Sequence, residues 1–165
     1  MTKTQPSGLF LRAIVAFLAL PVTAAFLVPW LLRPEQPPVA GGVPMLALGV
    51  ILLLWCVREF YIAGQGTLAP WAPPTQLVTS GPYRVSRNPM YVAVLLILCG
   101  WALTFPSRPL WVYAAFVALA FHLRVVFHEE PWLARKHGAA WLAYRASVLR
   151  WIGSRSDRVA HHAAG

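Results

Sequence analysis

Two adjacent carboxylates, Glu129 and Glu130, are the residues of this sequence best suited to chemistry. The chain has only 5 acidic residues against 14 Lys and Arg, and this pair follows directly on a long apolar stretch. Polar groups close to membrane depth are costly and often functional. Helical spacing puts His122 on the same face as Glu129, so these three side chains are the candidate catalytic groups for moving a proton. The alternative interpretation is an ion-pair network between the two glutamates and the basic C-terminal segment.

A second polar cluster runs from Gly81 to Tyr91. It brings Arg84, Arg87 and two tyrosines to the beginning of an apolar helix, where Pro89 suits the first turn. A helix N-terminus with free N–H groups and arginines suits an anion such as a carboxylate. The alternative is that the arginines only anchor the helix on the cytoplasmic side and the tyrosines lie at the membrane interface.

Other chemistries have weaker support in the sequence. No two histidines are spaced as on a zinc-binding helix, and no Glu-x-x-His pair occurs, so we predict no metal site. No G-x-S-x-G nucleophile motif is present. Cys56 and Cys99 lie within apolar runs and resemble small core residues more than a disulfide.

The composition excludes a soluble globular enzyme. The 165 residues are 58% hydrophobic and 12% charged, with a formal net charge of +9, whereas soluble domains carry about 25% charged residues. This composition predicts an integral membrane protein. We expect one domain over residues 1–153, followed by a flexible tail over 154–165.

Four apolar segments predict an all-α fold with about four transmembrane helices. Each has roughly the 20 residues that cross a bilayer core, and they cover residues 9–32, 44–63, 89–105 and 109–127. A cleaved signal peptide is the alternative for the first segment, but its apolar run continues beyond the possible cleavage site. An amphipathic, cationic segment that is broken at Gly138 follows the fourth and is predicted to form short helices on the cytoplasmic headgroups.

The basic residues predict the orientation. Twelve of the 14 lie at or near the N-terminus, in or just before the link between the second and third segments, or from the end of the fourth segment onward. The positive-inside rule then places both termini in the cytoplasm, in a bacterial inner (plasma) membrane. Because this distribution needs no nucleic acid, none is expected as a partner. Membrane lipids are expected partners, and the sequence leaves open whether the protein is a monomer or a homodimer.

Several motifs in a fixed order carry a family resemblance. The sequence resembles the membrane methyltransferase family that includes isoprenylcysteine carboxyl methyltransferases and phospholipid methyltransferases, in particular its bacterial branch. The segment Arg87-Asn88-Pro89-Met90-Tyr91 is similar to the family's Arg-His-Pro-x-Tyr motif. The other matching positions are Gly66–Pro70, Pro73–Pro74, Leu77–Arg84, Glu129–Glu130, Gly138, Tyr144 and Arg150–Trp151.

The resemblance implies an enzyme that uses S-adenosyl-L-methionine to methylate a lipophilic or membrane-associated acceptor. That acceptor would be the carboxylate of a prenylated thiol compound, a phospholipid amine or a small thiol. The cofactor-binding part would span about residues 77–152. The implied cofactor-binding residues are Arg84, Arg87, Asn88, Pro89, Tyr91, His122, Glu129, Glu130, Tyr144 and Arg150.

The sequence departs from the family pattern at Asn88, where many eukaryotic members have His. Asparagine keeps the hydrogen bonding of that position but cannot titrate, which puts proton transfer there in doubt. The alternative to an enzyme is a non-catalytic membrane scaffold or small-molecule binding protein that retains these motifs.

Overall fold

The described part of the protein is built from helices. The computed structural model describes residues 23–63 and 76–153, and no β-strand occurs within these two ranges. The helices are α1 (Val28–Leu32), α2 (Val43–Ala63), α3 (Pro89–Thr104), α4 (Arg108–Arg124) and α5 (Glu130–Ser147). Short turns lead into or join them: π-helical turns at Thr23–Leu27 and Val125–Glu129, and 3₁₀ turns at Ala40–Gly42 and Gly81–Arg84.

Proline marks the first turn of these helices. Pro89 opens α3, and Pro29, Pro44, Pro109 and Pro131 stand at the second residue of the other four. A proline costs nothing there, because the first N–H groups of a helix have no intrahelical acceptor. Before Pro29, Pro44 and Pro131 the chain is already in a π-helical or 3₁₀ turn, so at these three places proline follows a change of helix type.

Helices α2 and α3 pack against each other in an antiparallel pair with their backbones very close. A Cβ added to Gly49 of α2 would lie 2.8 Å from the backbone nitrogen of Ile97. A Cβ added to Gly100 of α3 would lie 2.7 Å from the backbone nitrogen of Leu46. Gly42, Gly49 and Cys56 recur every seventh residue of the chain and are all buried. This spacing keeps small residues on one face of α2, so the two helices can approach closely along the pair.

The main core lies between α3 and α4. It contains Val94, Ile97 and Leu98 of α3, Ala114 and Val117 of α4, and Ala25 from the turn before α1. Tyr113 ties α4 to that turn by donating its hydroxyl to the carbonyl oxygen of Ala24 over 3.0 Å. Helix α3 is therefore the central element, flanked by α2 and α4.

The outward faces of the helices are apolar. Leu48, Ile51 and Ile62 on α2, and Val112 and Phe116 on α4, are each more than half exposed. Two helical stretches are long and apolar enough to cross a membrane, Ala40–Glu59 and Arg108–Ser147, with mean hydropathies of 2.2 and 1.9. The exposed apolar faces and these two stretches support the predicted membrane protein.

The other two predicted spans have less support in the structure. Pro89–Thr104 is an apolar helix of 16 residues. Thr23–Leu32 is also a short apolar helix, and residues 9–22 of the first predicted span lie outside the described ranges. Within the described residues, the structure thus bears out an all-helical fold with two candidate membrane-spanning helices.

The C-terminal part is one helical stretch with a sharp break. Helix α4 continues through the π-helical turn into α5, and the backbone breaks at Gly138, where φ is 51° and ψ is −121°. Leu133 and Ala134 before the break pack on Trp141 and Tyr144 after it. The predicted interruption at Gly138 is confirmed. The predicted tail at 154–165 and the motif residues at 66–74 lie outside the described residues.

Candidate functional site

Three parts of the chain meet at the N-terminal end of α3. The segment before α3 is hydrogen-bonded to the C-terminal segment: Arg87 donates its N–H to the carbonyl of Leu149 over 3.0 Å, and Gly153 donates to Val85 over 2.7 Å. Asn88 adds a side-chain bond from Nδ2 to the carbonyl of Arg150, also 3.0 Å. These bonds fix the C-terminal segment beside the beginning of α5, where the adjacent glutamates lie.

Glu130 lies at the centre of a half-buried ion-pair cluster. Its Oε1 accepts from Arg87 Nη1 at 2.9 Å and from Arg150 Nε at 2.8 Å, and its Oε2 accepts from Arg150 Nη2 at 3.0 Å. The Arg87 side chain is only 6% exposed. Burial lowers the pKa of Arg87 while the Glu130 charge opposes that shift, and the hydrogen bond to Glu130 raises the pKa of Arg150. Both guanidinium groups stay charged, so Glu130 joins α5 to the segment before α3 and to the C-terminal segment.

Glu129 faces a different set of partners from its neighbour. Its Oε1 accepts from the Tyr91 hydroxyl and, at 2.8 Å, from Arg124 Nε. Oε2 accepts neither of these two hydrogen bonds. The Glu129 side chain is 27% exposed. Glu129 is therefore a partly exposed carboxylate beside the ion-pair cluster.

A buried layer supports the cluster from α5. Tyr144 donates its hydroxyl to the carbonyl of Tyr83 over 2.7 Å. The Arg87 guanidinium carbon lies 5.5 Å from the centre of the Trp141 ring. Within the described ranges, Arg87 Nε and Trp141 Nε1 are buried N–H groups without an acceptor. Two unsatisfied donors at one place are unusual, because each costs about 1–3 kcal/mol when buried.

Aromatic rings lie on the α4 side of the glutamates. His122 stacks on Trp151 with ring centres 6.0 Å apart and planes at 28°. Tyr91 contacts Phe121 with ring centres 4.4 Å apart. Flat rings beside carboxylates suit a cation or a planar heterocycle.

The structure brings most of the predicted site residues together. The connected group contains Arg87, Asn88, Tyr91, Glu129, Glu130, Tyr144 and Arg150, with Pro89 buried at the first turn of α3. Arg84 is exposed at the end of its turn, and the charge it influences is that of Glu59. His122 is exposed and meets Trp151 rather than either glutamate.

Of the two sequence-based interpretations of the glutamates, the structure shows the ion-pair network, which surrounds Glu130. The described hydrogen bonds of Glu129 both fall on Oε1, and its catalytic role stays a prediction. In a regular α-helix Arg124 would share a face with His128, four residues further on, but Arg124 instead contacts Glu129. The π-helical turn causes this difference, because its wider winding brings residues five apart onto one face.

Several contributing residues were not among the predicted site residues. Arg124, Trp141 and Trp151 contact the predicted groups directly. Glu59 at the end of α2 accepts hydrogen bonds from Ser80 and Trp55. The scarcity of acidic residues was the available signal for Glu59, since the chain has only 5.

Comparison with known proteins assigns the family. A family model described as phospholipid methyltransferase matches residues 38–140, which is more than half of the chain. The chain belongs to the phospholipid methyltransferase family. The matched range includes Arg87, Glu129 and Glu130. It ends before Tyr144 and Arg150, so the C-terminal segment that is hydrogen-bonded to the residues before α3 lies outside it. The family assignment confirms the resemblance and supports membrane methyltransferase activity in general terms.

Two curated proteins are similar to this phospholipid methyltransferase family member. The nickel-cobalt-cadmium resistance protein NccN of Alcaligenes xylosoxydans xylosoxydans is 36% identical over 97 residues, which are 57% of this chain and 38% of NccN. An uncharacterized protein of Haemophilus influenzae is 30% identical over 63 residues, which are 38% of this chain and 100% of that protein. The chain thus spans well under half the length of NccN. No solved structure shows a significant match to the chain.

Proposed function

We propose that this protein transfers a methyl group from S-adenosyl-L-methionine to a lipophilic acceptor at the cytoplasmic face of a bacterial inner membrane. The observation that carries the proposal is the meeting of Glu129, Glu130 and Arg87 at the end of α3 in a chain of this family. Tyr91, Asn88, Tyr144 and Arg150 support these three side chains.

The groups at this site fit the chemistry of the cofactor. S-adenosyl-L-methionine supplies an electrophilic methyl group on a sulfonium, together with an ammonium, a carboxylate, a ribose diol and an adenine. Oε2 of Glu129 suits the ammonium or the diol, and Arg87 Nε, a buried donor without an acceptor, suits the carboxylate. The His122–Trp151 stack offers rings for the sulfonium or the adenine.

The contribution of the protein would be mainly positioning. Methyl transfer is an in-line displacement, so holding donor and acceptor at the right distance and angle accounts for much of the rate. An ionised acceptor needs no base. For an amine or thiol acceptor, Glu129 is the best-placed general base, because it is partly exposed and has an oxygen free of described hydrogen bonds.

The proposed orientation follows from the two ends of α3. The charged cluster lies at Pro89, and Trp101 at the other end contacts Trp30 and Phe105. Aromatic rings of this kind are typical of a membrane interface, and arginines are typical of the cytoplasmic side. We therefore propose four membrane-crossing helices, with both termini and the site on the cytoplasmic side.

One observation favours a second candidate function. Both oxygens of Glu130 are occupied by arginines, as they would be in a structural cluster that binds nothing. A non-catalytic scaffold or small-molecule binding protein that retains the family motifs would show the same contacts. The two candidates differ in whether the available carboxylate of Glu129 binds the cofactor.

The test is calorimetric titration of detergent-solubilised protein with S-adenosylhomocysteine, the demethylated product of the cofactor. We expect wild-type protein to bind and the Glu129→Gln/Glu130→Gln variant to lose binding while it stays folded in the membrane fraction. Glu35→Gln is the matched control, because Glu35 is exposed between α1 and α2, and it should bind like the wild type. Absence of binding by folded wild-type protein would favour the scaffold.

A second assay addresses the acceptor. Radiolabelled S-adenosyl-L-methionine is incubated with the protein and a membrane lipid extract, and the label is followed into the organic phase. Label there that disappears in the double variant supports a lipophilic acceptor. Equal turnover of a fully water-soluble acceptor would contradict it.

A further inference from the structure

Glu59 of α2 lies outside the ion-pair cluster. It forms a contact that connects α2 to the segment before α3. Its Oε2 accepts from the Ser80 hydroxyl over 2.6 Å, and its Oε1 accepts from Trp55 Nε1 over 3.3 Å. Arg58 Nη1 adds an ion pair with Oε1 at 3.2 Å. The Glu59 side chain is 13% exposed and both its oxygens are occupied. A carboxylate bound in this way is suited to holding a structure in place, not to meeting a substrate.

The backbone beside Ser80 is shaped to fit against Glu59. Gly81 has a positive φ of 57°, and a Cβ on this residue would lie 2.7 Å from Cγ of Glu59. Any larger residue at 81 would therefore strain the backbone and collide with the Glu59 side chain. The 3₁₀ turn Gly81–Arg84 is thus packed directly on the end of α2.

This turn leads to the cofactor-binding residues through backbone contacts. The carbonyl of Tyr83 accepts the hydroxyl of Tyr144, and the carbonyl of Val85 accepts the N–H of Gly153. Two residues further on, Arg87 donates its backbone N–H to the carbonyl of Leu149 and its side-chain Nη1 to Glu130. A shift of the turn on α2 would therefore move Arg87 relative to Glu130.

We propose that Glu59 is a positioning residue for the cofactor site: by binding Ser80 against the end of α2 it sets the location of Arg87. This inference rests on the proposed function, since it assigns Glu59 to the same site. Glu59 shows no described contact with Glu129 or Glu130, so it acts through the turn. Its negative charge matters because a hydrogen bond to a carboxylate is stronger than one to a neutral amide.

The test combines S-adenosylhomocysteine affinity with hydrogen exchange. In Glu59→Ala we expect the affinity to fall about tenfold, and the backbone N–H groups of Arg87 and Gly153 to exchange faster in the absence of ligand. Glu59→Gln keeps the shape of the side chain but not its charge. Its affinity for S-adenosylhomocysteine should lie between those of Glu59→Ala and the wild type. Ser80→Ala should weaken binding as well, and its effect should not add to that of Glu59→Ala, because both remove one contact.

Glu35→Ala is the matched control, with the same substitution at an exposed glutamate. Wild-type affinity in Glu59→Ala, or a lower melting temperature with unchanged affinity and exchange, would overturn the positioning role and leave the proposed function intact. If the wild type itself binds no S-adenosylhomocysteine, the proposed function fails. Hydrogen exchange at the backbone N–H groups of Arg87 and Gly153 then still tests the positioning role of Glu59. Exchange rates in Glu59→Ala equal to those of the wild type would overturn that role.

Discussion

Arg124 donates from Nε to Oε1 of Glu129 over 2.8 Å, although the two residues are five positions apart in one helical stretch. In a regular α-helix, residues five apart lie about 140° apart around the axis and do not meet. The π-helical turn Val125–Glu129 makes the contact possible. Glu130 follows this turn and faces Arg87 and Arg150, so the neighbouring carboxylates bind two separate sets of partners.

Replacing Arg124 with alanine should separate binding from stability. The Arg124 side chain is 60% exposed, so the free energy of unfolding should change by less than about 1 kcal/mol. Without this partner Glu129 is less firmly oriented, and S-adenosylhomocysteine affinity should fall about fivefold. Calorimetric titration and denaturant unfolding measure the two quantities. Arg108→Ala, at the exposed start of the same helix, is the control, and equal affinities in the two variants would contradict the prediction.

Two arginine substitutions should differ sharply in their effect on stability. Arg87→Ala leaves the buried Glu130 with one cationic partner fewer and should cost about 3–5 kcal/mol. Arg58 also pairs with a glutamate but is 66% exposed, so Arg58→Ala should cost less than about 1 kcal/mol. Equilibrium unfolding in detergent micelles compares them. Arg87→Lys, which retains the charge, should recover part of the loss, and equal costs for the two alanine variants would refute the ion-pair account.

Gly138→Ala should destabilise the protein through its backbone alone. No atom lies within 4 Å of a Cβ built at Gly138 or at Gly41, but only Gly138 has a positive φ. We expect Gly138→Ala to cost about 1–3 kcal/mol, whereas Gly41→Ala should be neutral or stabilise by about 0.4–1 kcal/mol. The unfolding midpoints of the two variants provide the measurement. A neutral Gly138→Ala would mean that the break in α5 relaxes without cost.

Much of the helical fold can be predicted from local sequence. The contacts of Glu129 and Glu130 can be predicted from the sequence only in part. Runs of apolar residues with proline at their start predict helices near 44–63, 89–105 and 109–127, and the structure places α2, α3 and α4 there. The meeting of Arg87 with Glu130 was implied by family resemblance, because no local rule relates residues 43 positions apart. The Arg124–Glu129 pair was missed, since a π-helical turn is not visible in residue periodicity.

The Glu59–Ser80 contact was missed for another reason. Glu59 lies near the end of the apolar helix α2, and Ser80 follows 21 residues further along, so their proximity depends on how the intervening chain returns to α2. In the sequence, Gly81 followed by Pro82 predicts a turn and no contact with α2. Its contact with Glu59 depends on tertiary packing, which a single sequence does not reveal.

The small residues between α2 and α3 also restrict how a lipid-like molecule can approach the site. At Gly49 and Gly100 the two backbones are so close that even a methyl group would collide. A hydrocarbon chain therefore cannot slide between these helices from the bilayer, and this side of α3 acts as a wall. If the acceptor is the proposed lipophilic molecule, its tail would approach Glu129 from the opposite flank of α3, where the Tyr91 ring contacts Phe121 with the ring planes at 39°.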